Sequence, residues 1–139
     1  MSKKESDIEL VNELKIDRDI FVNKDWIKNY VHIILTVCNF FKVQVSTIET
    51  CSSKRKGIHF YIKINPPMDP ALTNMIQWLL GDDDQRVAFN RARIESGLNE
   101  WNKLFEVPKR RLKKIYDISN SSNTAGASSN EEKTTEKST

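Results

Sequence analysis

The clearest pattern in the chain is an apolar stripe over residues 25–41. Its large side chains recur every three or four residues, which places them on one face of a helix. The residues of the stripe are Trp26, Tyr30, Ile33, Ile34, Val37, Cys38 and Phe41. Asn23 or Lys24 leads into this helix, and Asp25 lies near the positive end of its dipole. The pattern predicts a long core helix, with His32 off the stripe and on the surface.

Two stretches after this helix alternate between apolar and polar residues, as β-strands do. Residues 42–50 are rich in β-branched side chains, and residues 58–64 place large apolar side chains on every second position. The apolar positions of the second stretch are Ile58, Phe60, Ile62 and Ile64. The segment 51–57 between the stretches is polar and ends in a glycine. The pattern predicts an antiparallel hairpin with a long loop, ended by Pro66 and Pro67.

The residues before the long helix carry two weaker patterns. Residues 6–16 place apolar side chains at spacings typical of a short helix, for which Ser6 or Asp7 is the cap. Residues 19–22 are typical of a short extended piece. Residues 19–22 are our candidate for a third strand beside the hairpin.

Two further helices are predicted after the hairpin. Asp69 followed by Pro70 is a strong start signal, because aspartate caps a helix and proline suits its first position. Gly81 ends this helix. The acids at 82–84 favour the positive end of a second helix, which Gly97 ends.

The order of these elements predicts an α+β fold. We expect a small antiparallel hairpin or three-stranded sheet packed against three to four helices. Residues 1–22 are predicted to be an N-terminal helix or extension, and residues 23–116 a single α+β core domain. Because no large aliphatic residue follows Ile118, residues 117–139 cannot bury enough apolar surface to offset ordering entropy. We predict that they form a disordered polar tail.

Positive charge is concentrated at two places in the chain. The formal net charge is only +3, but the loop 54–56 carries three cations and no anion. The second cluster lies in residues 103–114, where Glu106 is the only acid. The cations that we single out are Lys54, Arg55, Lys56, Lys109, Arg110, Arg111, Lys113 and Lys114. Two basic patches in a small domain indicate a phosphate-bearing partner, with a solvated helix face as the alternative.

The second predicted strand has a polar face that adjoins the basic loop. His59, Tyr61 and Lys63 share this face because side chains alternate across a strand. Surfaces that bind single-stranded nucleic acids use rings that stack on bases and cations that meet phosphates. Gly57 either lets the backbone approach a phosphate or allows a positive φ at the end of the loop. A half-solvated strand of a hairpin is the alternative explanation of this face.

The loop and strand together resemble a known motif. The stretch SSKRKGIHFYIKI is similar to the serine–glycine–histidine strand–loop–strand motif of the archaeo-eukaryotic primase superfamily. The residues that carry the resemblance are Ser52, Ser53, Lys56, Gly57 and His59. The resemblance implies that Ser53 and His59 contact nucleotide phosphates with help from Lys56. That family also binds divalent metal through an acidic pair on a neighbouring strand, whereas the strand before this loop offers only Glu49.

A second resemblance concerns the stretch LLGDDDQRVAFNRARIESGLNEWNKLF. The pattern G-D-D-x-x-R, followed by R-x-x-x-G and a terminal aromatic residue, is similar to segments in small uncharacterised proteins of archaeal viruses and plasmids. It implies a mobile-element, viral or replication-associated origin, and it brings no established activity. Within it, Arg86, Arg91 and Arg93 either pair with acids, face solvent or reach phosphates.

The sequence offers little for metal binding or catalysis. Two cysteines and two histidines do not have the number and spacing of a zinc site, and we predict no cofactor and no metal. A Cys51–His59 pair for nucleophilic chemistry has no evident third group to orient the imidazole. A metal nuclease built from Glu49, Asp82 or Asp83 with His59 is the stronger of the two enzymatic alternatives.

We therefore expect a small nucleic-acid-binding module, for DNA or RNA, rather than an enzyme. Its predicted contacts are Ser53, Lys54, Arg55, Lys56, His59, Tyr61, Lys63, Lys109, Arg110, Arg111, Lys113 and Lys114. A protein-interaction factor of viral or plasmid origin is the first alternative, and a minimal metal-dependent nuclease or nucleotidyl-transfer domain is the second. The charged N-terminus and the absence of a long apolar run predict an intracellular, cytoplasmic protein with no membrane partner. A homodimer remains open.

Overall fold

The computed structural model describes residues 9–20, 22–52, 57–98, 100–102 and 112–119. These residues form four strands and three helices, and the predicted α+β class is confirmed. The elements are β1 (Val11–Arg18), α1 (Lys24–Phe40), β2 (Gln44–Ser52), β3 (Ile58–Met68), α2 (Pro70–Leu79), α3 (Asp84–Glu95) and β4 (Lys113–Asp117).

The four strands form one antiparallel sheet in the order β1-β3-β2-β4. The predicted hairpin is β2 and β3, which pair directly. Strand β1 pairs with the other side of β3, so β1 and β2 run parallel to each other with β3 between them. Strand β4 pairs with β2. The sheet therefore has two edges within the described residues, and these are β1 and β4.

One face of the sheet is apolar and lies under α1 and α2. The predicted core positions of β3 are all buried, and Leu14 and Ile16 of β1 continue the same face. The ring of Tyr30 from α1 lies 4.8 Å from that of Phe60, measured between centroids. Residues of α2, among them Ile76, belong to the same cluster of buried side chains. Each buried side chain of this size contributes about 1.5–3 kcal/mol to folding.

The predicted helix starts are confirmed by their capping contacts. The side chains of Asn23, Asp69 and Asp83 accept hydrogen bonds of 2.8, 2.9 and 3.0 Å from backbone N–H groups of the first turn. Gly81 and Gly97 follow the ends of α2 and α3 with φ angles of 91° and 79°. These angles lie in the left-handed region that favours glycine, so local sequence defines both ends.

The predicted N-terminal helix is wrong within the described residues, where residues 11–18 form strand β1. Leu14 and Ile16 alternate with Lys15 and Asp17, and this period of two fits a strand that is buried on one face. Pairing with β3 overrides the local helical spacing. Residues 19, 20 and 22 are not part of a strand, so the third strand lies earlier in the chain than expected.

The predicted end of the hairpin is also wrong, because β3 continues through Pro66 and Pro67 to Met68. The prolines fall where the register between β1 and β3 shifts, and neither has a pairing partner. A proline has no N–H to donate, so an irregular part of a sheet accommodates it. At the loop, Cys51 and Ser52 belong to β2.

Strand β4 was not predicted as a strand. Its five residues begin in the predicted basic segment and end at Asp117, where the tail was expected to start. Ile115 and Tyr116 are half-buried and pack against the core. The apolar–polar alternation of a strand this short and rich in lysine is too weak to predict a strand. Lysine on an edge strand also opposes pairing with another chain.

Arg18 joins β1 to both helices that cover the sheet. Its guanidinium carbon lies 5.4 Å from the ring centroid of Trp26, and its Nη1 donates to the carbonyl of Gly81 at 3.2 Å. The hydroxyl of Tyr30 donates to the carbonyl of Leu80. A Cβ on Gly81 would overlap the Arg18 guanidinium and displace that side chain, and the positive φ of Gly81 itself favours glycine. The contacts satisfy carbonyls at the end of α2.

Side chains from α2, from α3 and from the turn between them form hydrogen bonds with backbone groups on the outer edge of β1. The N–H of Lys15 donates to Oε1 of Gln77 at 2.9 Å, and the N–H of Asp17 donates to Oδ1 of Asp82 at 2.9 Å. The carbonyl of Lys15 accepts from Nη2 of Arg86 at 2.7 Å. These groups would otherwise form an open edge on which another strand could pair.

The Asp82–Arg86 pair is the charged centre of this edge contact. Nε of Arg86 lies 3.1 Å from each carboxylate oxygen of Asp82, and the Asp82 side chain is fully buried. Burial raises the pKa of Asp82, and the hydrogen bond from Arg86 opposes that rise. The acids at 82–84 therefore have separate roles, since Asp83 caps α3 while Asp82 binds the edge of β1.

Replacing Asp82 is expected to destabilise the protein strongly. The substitution Asp82→Ala leaves Arg86 buried without its carboxylate and the N–H of Asp17 without its acceptor. Breaking a buried pair in this way costs about 3–5 kcal/mol. Urea denaturation followed by circular dichroism measures the loss in free energy of unfolding.

The matched control is Glu95→Ala, which removes the acid of an exposed pair of the same i,i+4 spacing. Nε of Arg91 lies 3.1 Å from Oε2 of Glu95, and both side chains are mostly exposed. Such pairs contribute about 0.3–0.5 kcal/mol. Equal losses in the two variants would show that the edge contact of Asp82 does not stabilise the fold.

Candidate nucleic-acid interface

The pairing of β2 with β4 brings two distant parts of the chain to one end of the sheet. The strands are antiparallel, with Thr50 opposite Lys113 and Thr47 opposite Asp117. Strand β4 therefore begins beside the last residues of β2. The described part of β2 ends at Ser52, so the chain enters and leaves the sheet at this same end.

The two predicted basic clusters are attached at that end. Residues 53–56 and residues 103–111 lie outside the described residues, and these ranges include Ser53, Lys54, Arg55, Lys56, Lys109, Arg110 and Arg111. The first range follows Ser52 directly and the second precedes Leu112 directly. Lys113 and Lys114 are exposed on β4. Clusters that are well separated in sequence thus join the sheet as neighbours.

The polar face of β3 is exposed only in part. Tyr61 is half-buried and the side chain of Lys63 is 53% exposed, as a half-solvated strand predicts. Nζ of Lys63 lies 3.9 Å from Oε2 of Glu13 on β1. Glu49 of β2 lies opposite Tyr61 on the other side. Acids therefore accompany the cations on this face, and it is not uniformly basic.

His59 does not lie on the surface as expected, since only 4% of the residue is exposed. It occupies the central strand between Asp17 of β1 and Cys51 of β2, so neighbours flank it on both sides. Its Nε2 lies 3.4 Å from Oδ1 of Asp17. Its Nδ1 is buried and has no hydrogen-bond partner among the described residues.

Burial governs the protonation of both members of this pair. Loss of hydration lowers the pKa of His59, and this effect exceeds the opposing attraction of Asp17. Burial likewise raises the pKa of Asp17 despite the nearby imidazole. Both shifts favour neutral groups, so the imidazole of His59 is uncharged at neutral pH.

Gly57 adopts a φ of 126° at the start of β3. This is a conformation that side-chain-bearing residues rarely adopt, so the predicted positive φ at the end of the loop is confirmed. The conformation explains the glycine without reference to a phosphate.

The residues proposed for a metal nuclease do not come together. Asp82 is bound to Arg86 and to the edge of β1, while Asp83 caps α3. Among the described residues, no group of three or more His, Cys, Asp or Glu side chains is placed to hold a metal ion. The structure instead brings Asp17 next to His59, a contact that the sequence did not indicate.

An apolar groove between α2 and α3 is a second surface feature that the sequence did not reveal. Its volume is about 610 Å³. Its lining residues are Ala71, Asn74, Met75, Trp78, Asp84, Val87, Ala88, Arg91, Ile94 and Glu95. Trp78 is 54% exposed and Met75 is 42% exposed, although both are large apolar residues.

No helix in the described ranges is both long enough and apolar enough to cross a bilayer. Comparisons with protein-family models, with curated proteins and with solved structures find no match. The resemblance to the primase motif, and the viral or plasmid origin implied by the second resemblance, therefore stay predictions.

The neutral state of His59 predicts a loss of stability in mild acid. Because its folded pKa is below the ordinary value of about 6.5, the unfolded chain takes up a proton first as the pH falls. The stability is present above about pH 6.5 and is lost as the pH falls through the folded pKa, by at most about 1.4 kcal/mol per pH unit. Urea denaturation across this range measures the loss.

Two variants isolate the contribution of His59. In His59→Gln the titrating group is absent, so we expect the decline to be smaller than in the wild type. His32→Gln, which removes the exposed histidine of α1, is the matched control and should keep the wild-type decline. The raised pKa of Asp17 works in the opposite direction, since acid relieves the burial of its charge. Parallel curves for His59→Gln and wild type would contradict the assignment.

Proposed function

We propose that the protein is a small nucleic-acid-binding module whose phosphate contacts lie at the end of the sheet where β2 stops and β4 starts. The observation that carries the proposal is the pairing of Thr50 with Lys113. Through it, the segment with Lys54, Arg55 and Lys56 and the segment with Lys109, Arg110, Arg111, Lys113 and Lys114 are attached side by side. Together they supply eight cations.

Eight cations on two chain segments that join the same end of a small sheet suit a polyanion better than a single small anion. Phosphates along a nucleic-acid backbone repeat every few ångströms, and each neutralised phosphate releases a counterion. Among the described members of the set, Lys114 also lies 3.2 Å from Asp117. The side chain of Lys114 is 49% exposed, which keeps this pair in water and weak.

The polar face of β3 gives a smaller contribution in this proposal than the basic end of the sheet. Tyr61 and Lys63 continue from that end along the central strand and are accessible in part. His59 is almost fully buried, and therefore we do not assign it a phosphate contact. The proposed interface thus depends on charge, and base stacking at Tyr61 is secondary.

The proposal predicts salt-dependent binding that weakens when the loop loses its charge. The variant Lys54/Arg55/Lys56→Ala should bind single-stranded DNA, duplex DNA or RNA more weakly than the wild type. The slope of log affinity against log salt should fall by about 0.9 for each duplex phosphate contact removed, or about 0.7 for a single strand. Fluorescence anisotropy at several salt concentrations measures both quantities.

The control for this experiment removes a cation from the other end of the same strand. Lys42 is exposed and precedes β2, so Lys42→Gln changes the net charge away from the basic end. We expect its slope to match that of the wild type. If the triple variant binds as tightly as the wild type at every salt concentration, the loop has no place in the interface. The same loss of affinity per charge removed in both variants would reduce the effect to net charge.

We propose self-association through the α2–α3 groove as a second candidate, which corresponds to the homodimer that the sequence left open. Its lining includes the apolar side chains of Met75 and Trp78 and both signs of charge in Asp84, Arg91 and Glu95. A two-fold axis places such a surface against its own copy, so acids of one protomer meet the arginine of its partner. A second copy of this chain is therefore the occupant that the groove fits.

The variant Trp78→Lys tests this association. A lysine placed in the centre of the interface should shift the protein to a monomer in sedimentation velocity, whereas the wild type forms a dimer as concentration rises. Phe40→Lys is the control, since Phe40 is 79% exposed at the end of α1 and lies outside the groove. A wild-type protein that remains monomeric at every concentration would remove the dimer from consideration.

A further inference from the structure

Three side chains of different chemistry lie in one row across the polar face of the sheet. Asp17 of β1, His59 of β3 and Cys51 of β2 are direct cross-strand neighbours. The N–H of Asp17 points outward to Asp82, so Asp17 and His59 form the pair type without mutual backbone bonds. In that pair the side chains are closest, and Nε2 of His59 lies 3.4 Å from Oδ1 of Asp17.

The second nitrogen of His59 faces the other way. The two nitrogens of an imidazole ring point in widely divergent directions, so a ring whose Nε2 faces β1 directs Nδ1 away from β1. Strand β2, with Cys51 at the paired position, lies on that side. Nδ1 is buried without a hydrogen-bond partner among the described residues, although an imidazole nitrogen in such a place normally has one.

The tautomer of His59 follows from these contacts. The carboxylate of Asp17 favours a proton on Nε2, which leaves the lone pair on Nδ1. The imidazole is neutral, because burial lowers its pKa. A neutral imidazole with a lone pair beside a thiol is the arrangement by which a base activates a cysteine.

We propose that Cys51, His59 and Asp17 form a thiol–imidazole–carboxylate unit in which Cys51 is a nucleophile toward small hydroperoxides. This modification site is independent of the proposed nucleic-acid binding. The exposed fraction of Cys51 is 4%, so the proposal is confined to a small uncharged oxidant.

The reaction balances with the oxidant as the only co-reactant. Sγ of Cys51 donates to the carbonyl of Ser52 at 3.3 Å. The proposed step requires a rotation about the Cα–Cβ bond of Cys51 that breaks this contact and brings the thiol to His59. The thiol proton moves to Nδ1 of His59. The thiolate then attacks one oxygen of hydrogen peroxide, so an S–O bond forms and the O–O bond breaks. The departing hydroxide takes the proton from the imidazolium and leaves as water, and Cys51 is oxidised to a sulfenic acid.

Cys38 is the internal standard for this reactivity. It is the other cysteine of the chain, lies on α1 in the core and has no exposed surface. Burial in apolar surroundings raises the pKa of its thiol to about 11, so it carries almost no thiolate at neutral pH. No histidine pairs with it in the core cluster.

The experiment treats the folded full chain with hydrogen peroxide, removes the oxidant, and then traps sulfenic acid with dimedone in urea, where both cysteines are accessible. Mass spectrometry of the peptides then gives a separate rate for each cysteine. We expect labelling at Cys51 and none at Cys38 over the same time. His59→Asn should slow labelling of Cys51 by at least about tenfold, since it removes the base. His59→Gln repeats the test with a different side chain, and near-ultraviolet circular dichroism checks that each variant is folded.

The pH profile separates activation from simple access. In the wild type, the labelling rate of Cys51 should reach half its maximum at a pH below the ordinary cysteine pKa of about 8.5. His59→Asn should move that midpoint to a higher pH. The charged groups that act on His59 are Asp17 of β1, Asp82 before α3 and Arg86 of α3. Asp17→Asn should shift the midpoint in the same direction, because it removes the group that orients the imidazole.

An exposed thiol provides the last comparison. The double variant Cys51→Ser/Ser52→Cys places a cysteine at the next residue, which is exposed and points to the opposite face of β2. Cys51 in the wild type should react faster than this exposed thiol, despite its burial. The proposal is overturned if Cys51 reacts no faster than Cys38 or the exposed thiol, or if the histidine variants keep the wild-type rate and pH profile.

Discussion

The fold depends on the side chains that form hydrogen bonds with the backbone groups on the outer edge of β1. An edge strand with open N–H and carbonyl groups is a place for another chain to pair, and here three side chains close it. Gln77 comes from α2, Asp82 from the turn after it and Arg86 from α3. One short stretch of chain therefore positions two helices against β1. The buried Asp82–Arg86 pair is the contact whose loss costs the most free energy of unfolding, because removing one partner leaves the other buried without its counter-charge.

The edge contact also explains why the polar residues around it are buried. The side-chain amide of Asn102 exchanges hydrogen bonds of 2.7 and 3.1 Å with Gln77 and accepts from Arg86 at 2.8 Å. Asn90 donates to Asn74 at 3.1 Å and so joins α3 to α2. Hydrogen-bonded networks of this kind favour one arrangement of the helices, although Oδ1 of Asn90 has no partner among the described residues.

Local sequence predicted those parts of the fold that local contacts determine. Each helix has a capping side chain that contacts only its own first turn, and for α1, α2 and α3 these starts were predicted. Strands β1 and β4 were missed because both owe their conformation to a neighbour distant in sequence. The same limit applied to Asp82, whose helix-start position hid its contact with Asp17. Of the candidate site, the cations were visible in the sequence, while their shared end of the sheet follows only from strand order.

The polar face of β3 shows how position in a sheet divides residues that look alike in sequence. His59, Tyr61 and Lys63 alternate on one face, and a common surface role was the natural prediction. Strand β3 is central, however, so the neighbours on β1 and β2 determine the exposure and the contacts of each of the three side chains. Lys63 faces solvent beside an acid, whereas His59 lies between a carboxylate and a thiol with one nitrogen unsatisfied. A buried unsatisfied nitrogen destabilises a fold, by about 1–3 kcal/mol. Such a destabilising nitrogen is explained if it accepts a proton during a reaction. Among the described neighbours, the thiol of Cys51 is the group in the proposal that donates one.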